Sequence, residues 1–261
     1  MSIINSTNTE YHASRSHLSS SMLKLILQSP EAFYEKWFGP TAPEETKDVF
    51  SEGSFVHTLL LEPHKVLTDY AVFTGLRKQG KAWEEFRAAN PGKTLLSAPQ
   101  VARCEELAKA ATASTAAMEL LSGGFAEHTM VGELLGVPVK ARADYINIDK
   151  GYIVDVKTTS MPSDKEFFSV TVRDYGYQLS ASLYCQIAEA TYGKPFGFYW
   201  ATVSKADKGC RVYKMSLSTA QEGAIMVSAA LAQYKRRMVS GDWRDDAAQA
   251  PVLPNFEVEE V

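Results

Sequence analysis

Asp144, Asp155 and Lys157 have the types and spacing of residues that could do chemistry together. The aspartates fall on two strand-like runs, VPVKARADYINI and GYIVDVKTTS, whose Val, Ile and Tyr residues alternate as strands require. The break between them, Asp149-Lys150-Gly151, reads as a hairpin turn. With Asp149 and Lys150 at its tip, the register sets Asp144 directly opposite Asp155. Side chains so opposed have Cβ atoms roughly 5 Å apart, where like charges repel. A cation between them removes the repulsion, and an oxygen-only pair suits Mg²⁺, Mn²⁺ or Ca²⁺. Lys157 lies two residues past Asp155 and projects from the same strand face. A metal held by paired carboxylates with an ammonium beside it suits metal-assisted phosphodiester cleavage. The competing reading is a solvated strand face, where two aspartates are common. Ile153, Val154 and Val156 weigh against it, because a carboxylate in a covered strand is costly unless paired or metal-bound.

His57 stands inside an upstream apolar stretch, Gly53-Ser54-Phe55-Val56-His57-Thr58-Leu59-Leu60-Leu61-Glu62-Pro63. The pattern predicts a mostly buried helix of about two to three turns, ended by Pro63. A histidine there is either a core residue satisfied by a backbone partner or a metal ligand or general base.

Taken in order, G-S-x-x-H-x-L-L-L-E-P, then A-D-Y, then D-V-K-T-T, then Tyr175-x-x-Gln178 on a following helix resemble the RecE-type exonucleases. These are the phage and prophage exodeoxyribonuclease VIII-like members of the PD-(D/E)XK nuclease superfamily. The likeness runs from about Tyr11 to about Tyr192 and includes the opening YHAS…SHLSSSMLKLILQSPEAFYEKW. It implies an α/β fold with a PD-(D/E)XK core, a central mixed β-sheet flanked by helices. It also implies metal ligands at His57, Asp144, Asp155 and the Val156 carbonyl, with Lys157 as the catalytic lysine. A glutamine and a tyrosine four residues apart border the site in that family. Gln178 fits the first, whereas Ser182 occupies the second position and Tyr184 is the nearest tyrosine.

The activity so implied is a Mg²⁺- (or Mn²⁺-) dependent exodeoxyribonuclease that resects linear duplex DNA, 5′ to 3′, for recombination. Its implied partners are duplex DNA ends, a single-strand annealing protein and further copies of itself. Its implied location is the cytoplasm of a bacterial host or phage-infected cell. Two alternatives stay open: an endonuclease of restriction or repair type on the same chemistry, and a non-catalytic DNA-binding module with a decayed site. The joint presence of His57, Asp144, Asp155 and Lys157 argues against decay. No G-x-x-x-x-G-K-[ST] loop occurs, which disfavours an ATP-coupled enzyme.

Composition is that of an ordinary globular protein, 45% hydrophobic and 22% charged over 261 residues. There is no apolar run long enough to span a membrane, and the N-terminus lacks the pattern of a signal peptide. Cys104, Cys185 and Cys210 are odd in number and widely spaced, which excludes a disulfide framework, a zinc site of CxxC type and a four-cysteine iron–sulfur cluster. The net charge of −4 does not exclude a nucleic-acid substrate, because binding follows local fields. Three basic groups could meet phosphates: Arg77, Lys78 and Lys81; Lys140 with Arg142; and Lys235-Arg236-Arg237.

The elements that must position these residues follow from the patterning. Residues 1–10 read as polar and mobile, and a helix from about Ser19 to Phe38 is interrupted near Pro30. PTAPEET reads as a loop, and 64–100 as short helices and loops with a turn at Asn90-Pro91-Gly92-Lys93. A helix from Pro99 to Leu121 precedes strands near 126–135, 137–148 and 152–158. A helix over Tyr177–Tyr192, strands at 196–203 and 209–216, and a helix over 218–240 complete one domain, 1–240. The acidic stretch 241–261 reads as a flexible tail with Trp243 and Phe256 as anchors, or a docking peptide.

Overall fold

Alternating Val, Ile, Tyr and Phe residues build the strands, and their apolar sides dictate what covers them. The computed structural model describes residues 2–3, 8–39, 48–245 and 258–260. Its strands are β1 (Ser2–Ile3), β2 (Tyr70–Phe73), β3 (Thr94–Ser97), β4 (Phe125–Leu134), β5 (Val137–Asn147), β6 (Tyr152–Thr159), β7 (Gly197–Ser204), β8 (Cys210–Met215) and β9 (Val258–Glu260). The α-helices are α1 (Asn8–Ala13), α2 (Ser20–Gln28), α3 (Pro30–Phe38), α4 (Asp48–Leu61), α5 (Val66–Asp69), α6 (Lys81–Ala89), α7 (Ala98–Ala113), α8 (Thr115–Leu120), α9 (Lys165–Asp174), α10 (Tyr177–Tyr192) and α11 (Leu217–Ser240). None of the described helices is long and apolar enough to cross a membrane.

The main sheet has the order β1-β4-β5-β6-β7-β8-β9. Neighbours are antiparallel except β6 and β7, which run parallel, so the sheet is mixed, as expected. A parallel pair needs a crossover, and α9 with α10 supplies it. One face packs on α2, α10 and α11 through Leu23, Ile26, Ile153, Leu179, Trp200 and Leu231. On the other face Val154, Val156 and Val203 meet α4 and α7 through Phe55, Val56, Leu60 and Leu107. The sheet is therefore the middle of three layers.

Gly223 sets how closely α10 and α11 approach. A Cβ there would stand 2.2 Å from the Gln178 carbonyl oxygen and 2.7 Å from Ser182 Cβ. Gly223→Ala must push the helices apart, so chemical denaturation should show a loss of roughly 1–3 kcal/mol. The gain in helix propensity, about 1 kcal/mol, is too small to offset it.

Several expectations are corrected. The Pro99–Leu121 helix is two helices, because Ser114 takes an extended backbone and its hydroxyl accepts from Ala117 N to cap α8. The 64–100 stretch holds a separate parallel pair, β2 with β3, too short to announce itself in sequence. Parts of residues 1–10 are built into β1 and α1. The stretch after 240 is not free throughout. Trp243 stacks on Phe33 and Tyr34, Asp245 accepts from the Ser29 hydroxyl and Glu31 N, and β9 pairs with β8, burying Val258. Phe256 and the PTAPEET segment lie outside the described residues.

Candidate active site

The hairpin register places the first carboxylate. Strands β5 and β6 pair Asn147 with Tyr152, Ile146 with Ile153 and Tyr145 with Val154, the register expected from the sequence. One step further Asp144 would face Asp155, but the ladder ends before it. The Val156 N–H instead donates to Asp144 Oδ2 at 2.8 Å, so a carboxylate stands where a backbone carbonyl would. The distortion continues into β4. Its pairing with β5 is uniform on both sides of Glu127, which sets Glu127 across from Asp144. Glu127 has φ +50°, a left-handed conformation that disfavours a non-glycine residue by roughly 1–3 kcal/mol. Arg142 holds it there, with Nε donating to Glu127 Oε2 at 2.7 Å.

From the opposite layer, α4 delivers His57. This helix has 14 residues, longer than its apolar stretch suggested. Its Nδ1 lies 3.4 Å from Asp144 Oδ2, and the ring also hydrogen-bonds the Val156 backbone. Ligand atoms of His57, Glu127 and Asp144 all lie within 4.8 Å of one another. Asp155 stands beside this group rather than in it. Its buried Oδ2 pairs with Lys157 Nζ at 2.6 Å. Lys157 Nζ also sits 5.1 Å from the Tyr177 ring centroid.

The electrostatics show carboxylates in excess of their cations. Burial, then Asp155, pushes the Asp144 carboxyl up to about 7, against the pull of Lys157, the Val156 N–H and Arg142. Burial and Asp144 raise Glu127. Burial and Lys157 lower His57, with Asp155 and Glu127 opposing. Burial disfavours the charge on Lys157, but Asp155 and Asp144 outweigh it and raise its pKa. A cation among these groups would relieve both carboxylates, and a donor set of one imidazole nitrogen and two carboxylates fits a divalent ion such as Mg²⁺ or Mn²⁺.

The remaining anticipated residues are scattered around this centre. Gln178, in the first turn of α10, is fully buried, and neither amide atom has a hydrogen-bond partner among the described residues. The Tyr184 hydroxyl reaches Ser20, and burial with Asp155 and Asp144 raises its pKa. Ser182 packs against α11 instead, with its hydroxyl 3.4 Å from Ala220 O. Tyr175 is exposed and stacks on Tyr177. Arg142 joins the site through Glu127, whereas Lys140 is buried and its ammonium bonds the Tyr11 and Ser14 carbonyls. Arg77 and Lys81 are exposed, and Lys78 Nζ donates to Leu95 O. Lys235 donates to Leu135 O, and the buried Arg237 to the carbonyls of Asp242 and Arg244.

Glu127, Tyr177 and Lys24 were not anticipated. Glu127 had a usable signal. Leu135 and Gly136 form a two-residue turn with positive φ at both positions, and counting back from it sets Glu127 opposite Asp144. Tyr177 and Lys24 had none, because their nearness to Lys157 arises from the packing of α2 and α10 on the sheet.

A crystal structure from Eubacterium rectale, provisionally described as an exonuclease, has the same fold: TM-score 0.69, 19% identity, covering 96% of this chain and 97% of that one. No curated protein matches the chain. Residues 19–251 match a family described as a PDDEXK-like domain of unknown function (DUF3799), and the chain belongs to that family.

Proposed function

We propose that this protein is a divalent-metal-dependent nuclease and, within that class, a RecE-type exodeoxyribonuclease that degrades linear duplex DNA from its ends. The observation that carries the reading is the convergence of His57, Glu127 and Asp144, with the Asp155–Lys157 pair beside them. Membership of a PDDEXK-like family supports the nuclease class. The exonuclease mode, the 5′-to-3′ polarity, the annealing partner, homo-oligomerisation and a cytoplasmic setting rest on the RecE resemblance.

His57, Glu127 and Asp144 would hold Mg²⁺ or Mn²⁺, with Asp155 and the Val156 carbonyl adjoining. When bound, such an ion supplies Lewis acidity and makes water a stronger nucleophile. Lys157 orients the attacking water and offsets charge growing on the phosphate oxygens. Arg142 keeps Glu127 turned inward. Water oxygen bonds to phosphorus as the P–O3′ bond breaks, leaving a 5′-phosphate and a 3′-hydroxyl. Arg77, Lys78 and Lys81 are the proposed contacts to DNA further along the duplex. Lys140, committed to two carbonyls, is better read as a tie between α1 and β5.

The deciding experiment compares labelled linear duplex with a covalently closed circle, in Mg²⁺ and in EDTA, for wild type and Asp155→Ala. Metal-dependent loss of the linear substrate alone, abolished by the substitution, is the expected result. Cutting of the circle would make it an endonuclease. Binding without cleavage of either substrate would overturn the enzyme reading in favour of a decayed site.

A further inference from the structure

Lys24 has no counter-ion among the described residues and lies beside the candidate active site. It lies on α2, whose Met22, Leu23 and Ile26 are buried under the sheet, and its own side chain is half-buried toward α10. A side chain at Gly176 would touch its Cδ and Cε at 3.6 Å, so the stem is confined by the turn before α10. Its Nζ sits 5.4 Å from the Tyr177 ring centroid, and Lys157 Nζ sits 5.1 Å from the same ring. Both ammoniums therefore lie within about 11 Å of each other. Lys157 has Asp155 as its partner; Lys24 has no hydrogen bond or ion pair among the described residues. Burial and the Lys157 charge push its pKa down to about 8, with Asp155 pulling the other way. A half-buried, confined, unpaired cation next to another cation is unfavourable until an anion joins it. The amino end of the 16-residue α10, beside Tyr177, adds positive potential at the same place.

We propose that Lys24 binds a phosphate of the cleaved strand next to the scissile one, with the Tyr177 ring as the spacer that keeps it apart from Lys157. The inference rests on the nuclease reading above and adds a substrate contact on α2. An ammonium donating to a phosphate oxygen makes a charge-assisted hydrogen bond, stronger than one between neutral groups. Lys24→Met retains the stem and removes the charge. On linear duplex with Mg²⁺ it should lower kcat/KM by roughly 10- to 100-fold, mostly through KM. Equilibrium DNA binding in EDTA should lose about one unit of salt slope. Lys24→Arg should recover much of both. Thermal unfolding should show no loss for Lys24→Met, which separates a contact from a structural role. An unchanged KM and salt slope in an active enzyme would overturn the Lys24 proposal and leave the nuclease reading standing. A wild type that neither binds nor cleaves DNA would overturn both, and DNA binding without cleavage would let the salt slope decide Lys24 alone.

Discussion

Lys157→Ala lowers turnover on linear duplex DNA by roughly 10²–10⁴-fold with Mg²⁺ present, the range seen when a charge-stabilising or proton-handling group is lost. The readout is initial rate at saturating DNA and metal. A rate equal to wild type would remove Lys157 from the mechanism. From the sequence the substitution should spare folding; the geometry adds a condition. Lys157 is the partner of Asp155 at 2.6 Å, and only 13% of the Asp155 side chain is exposed. Taking the lysine away leaves that carboxylate unpaired, so stability in EDTA should fall by roughly 1–3 kcal/mol, discounted from a fully buried pair. Mg²⁺ should restore much of that stability and none of the turnover. Denaturation with and without metal, run beside the kinetics, separates the two roles.

The second large effect is a dependence on pH that reverses with metal. The Asp144 carboxyl is raised from 3.8 to about 7 in the folded chain. A raised carboxyl contributes stability that is complete below the unfolded value and lost as pH climbs through the folded one. Glu127, raised as well, acts in the same sense. His57 is lowered from 6.5 and opposes them, but only below that value. Lys24, lowered to about 8, changes stability only above that pH. Between pH 6.5 and 8 the acidic pair therefore dominates, and metal-free protein should lose roughly 1–3 kcal/mol across the wider range from pH 5 to 8. Asp144→Asn should flatten much of that slope. Divalent-ion affinity should do the opposite and rise by about tenfold per pH unit up to pH 7, because the ligand must shed a proton. Calorimetric Mn²⁺ binding at pH 6, 7 and 8 checks it; an affinity indifferent to pH would exclude Asp144 as a ligand.

How much of this was legible in sequence divides along physical lines. The β5–β6 register follows from period-two alternation and a turn of definite length, so the approach of Asp144 to the second strand could be counted out. The same counting would have reached Glu127 had Leu135-Gly136 been taken as a two-residue turn. The loss of pairing at Asp144 could not be counted, because it depends on a side chain accepting from the Val156 N–H in place of a carbonyl. Tyr177 and Lys24 depend on how α2 and α10 seat on the sheet, and periodicity is silent on which residues of two helices meet. His57 was visible as a polar residue in an apolar helix, but its partner was not: Asp144, 3.4 Å away, comes from a strand that the helix pattern does not name. Trp243 was visible as an anchor but its partners were not, and the pairing of Val258 was hidden because a three-residue strand carries too little period.

The three-layer arrangement has a mechanical side. His57 comes from α4, which packs with α7 in an apolar cluster separate from the one that joins α10 and α11 to the sheet. Glu127 and Asp144 belong to the sheet itself. If these three residues held one ion, it would tie α4 to β5 and add its binding energy to the contact between the layers. The contacts α4 already makes are its apolar clusters, the His57 contacts and the pairs of Glu52 with Arg103 and Lys205. The centre would then act as a latch: metal loading and docking of the α4 layer would be one event, and the layer that contributes His57 alone would decide when the site is complete.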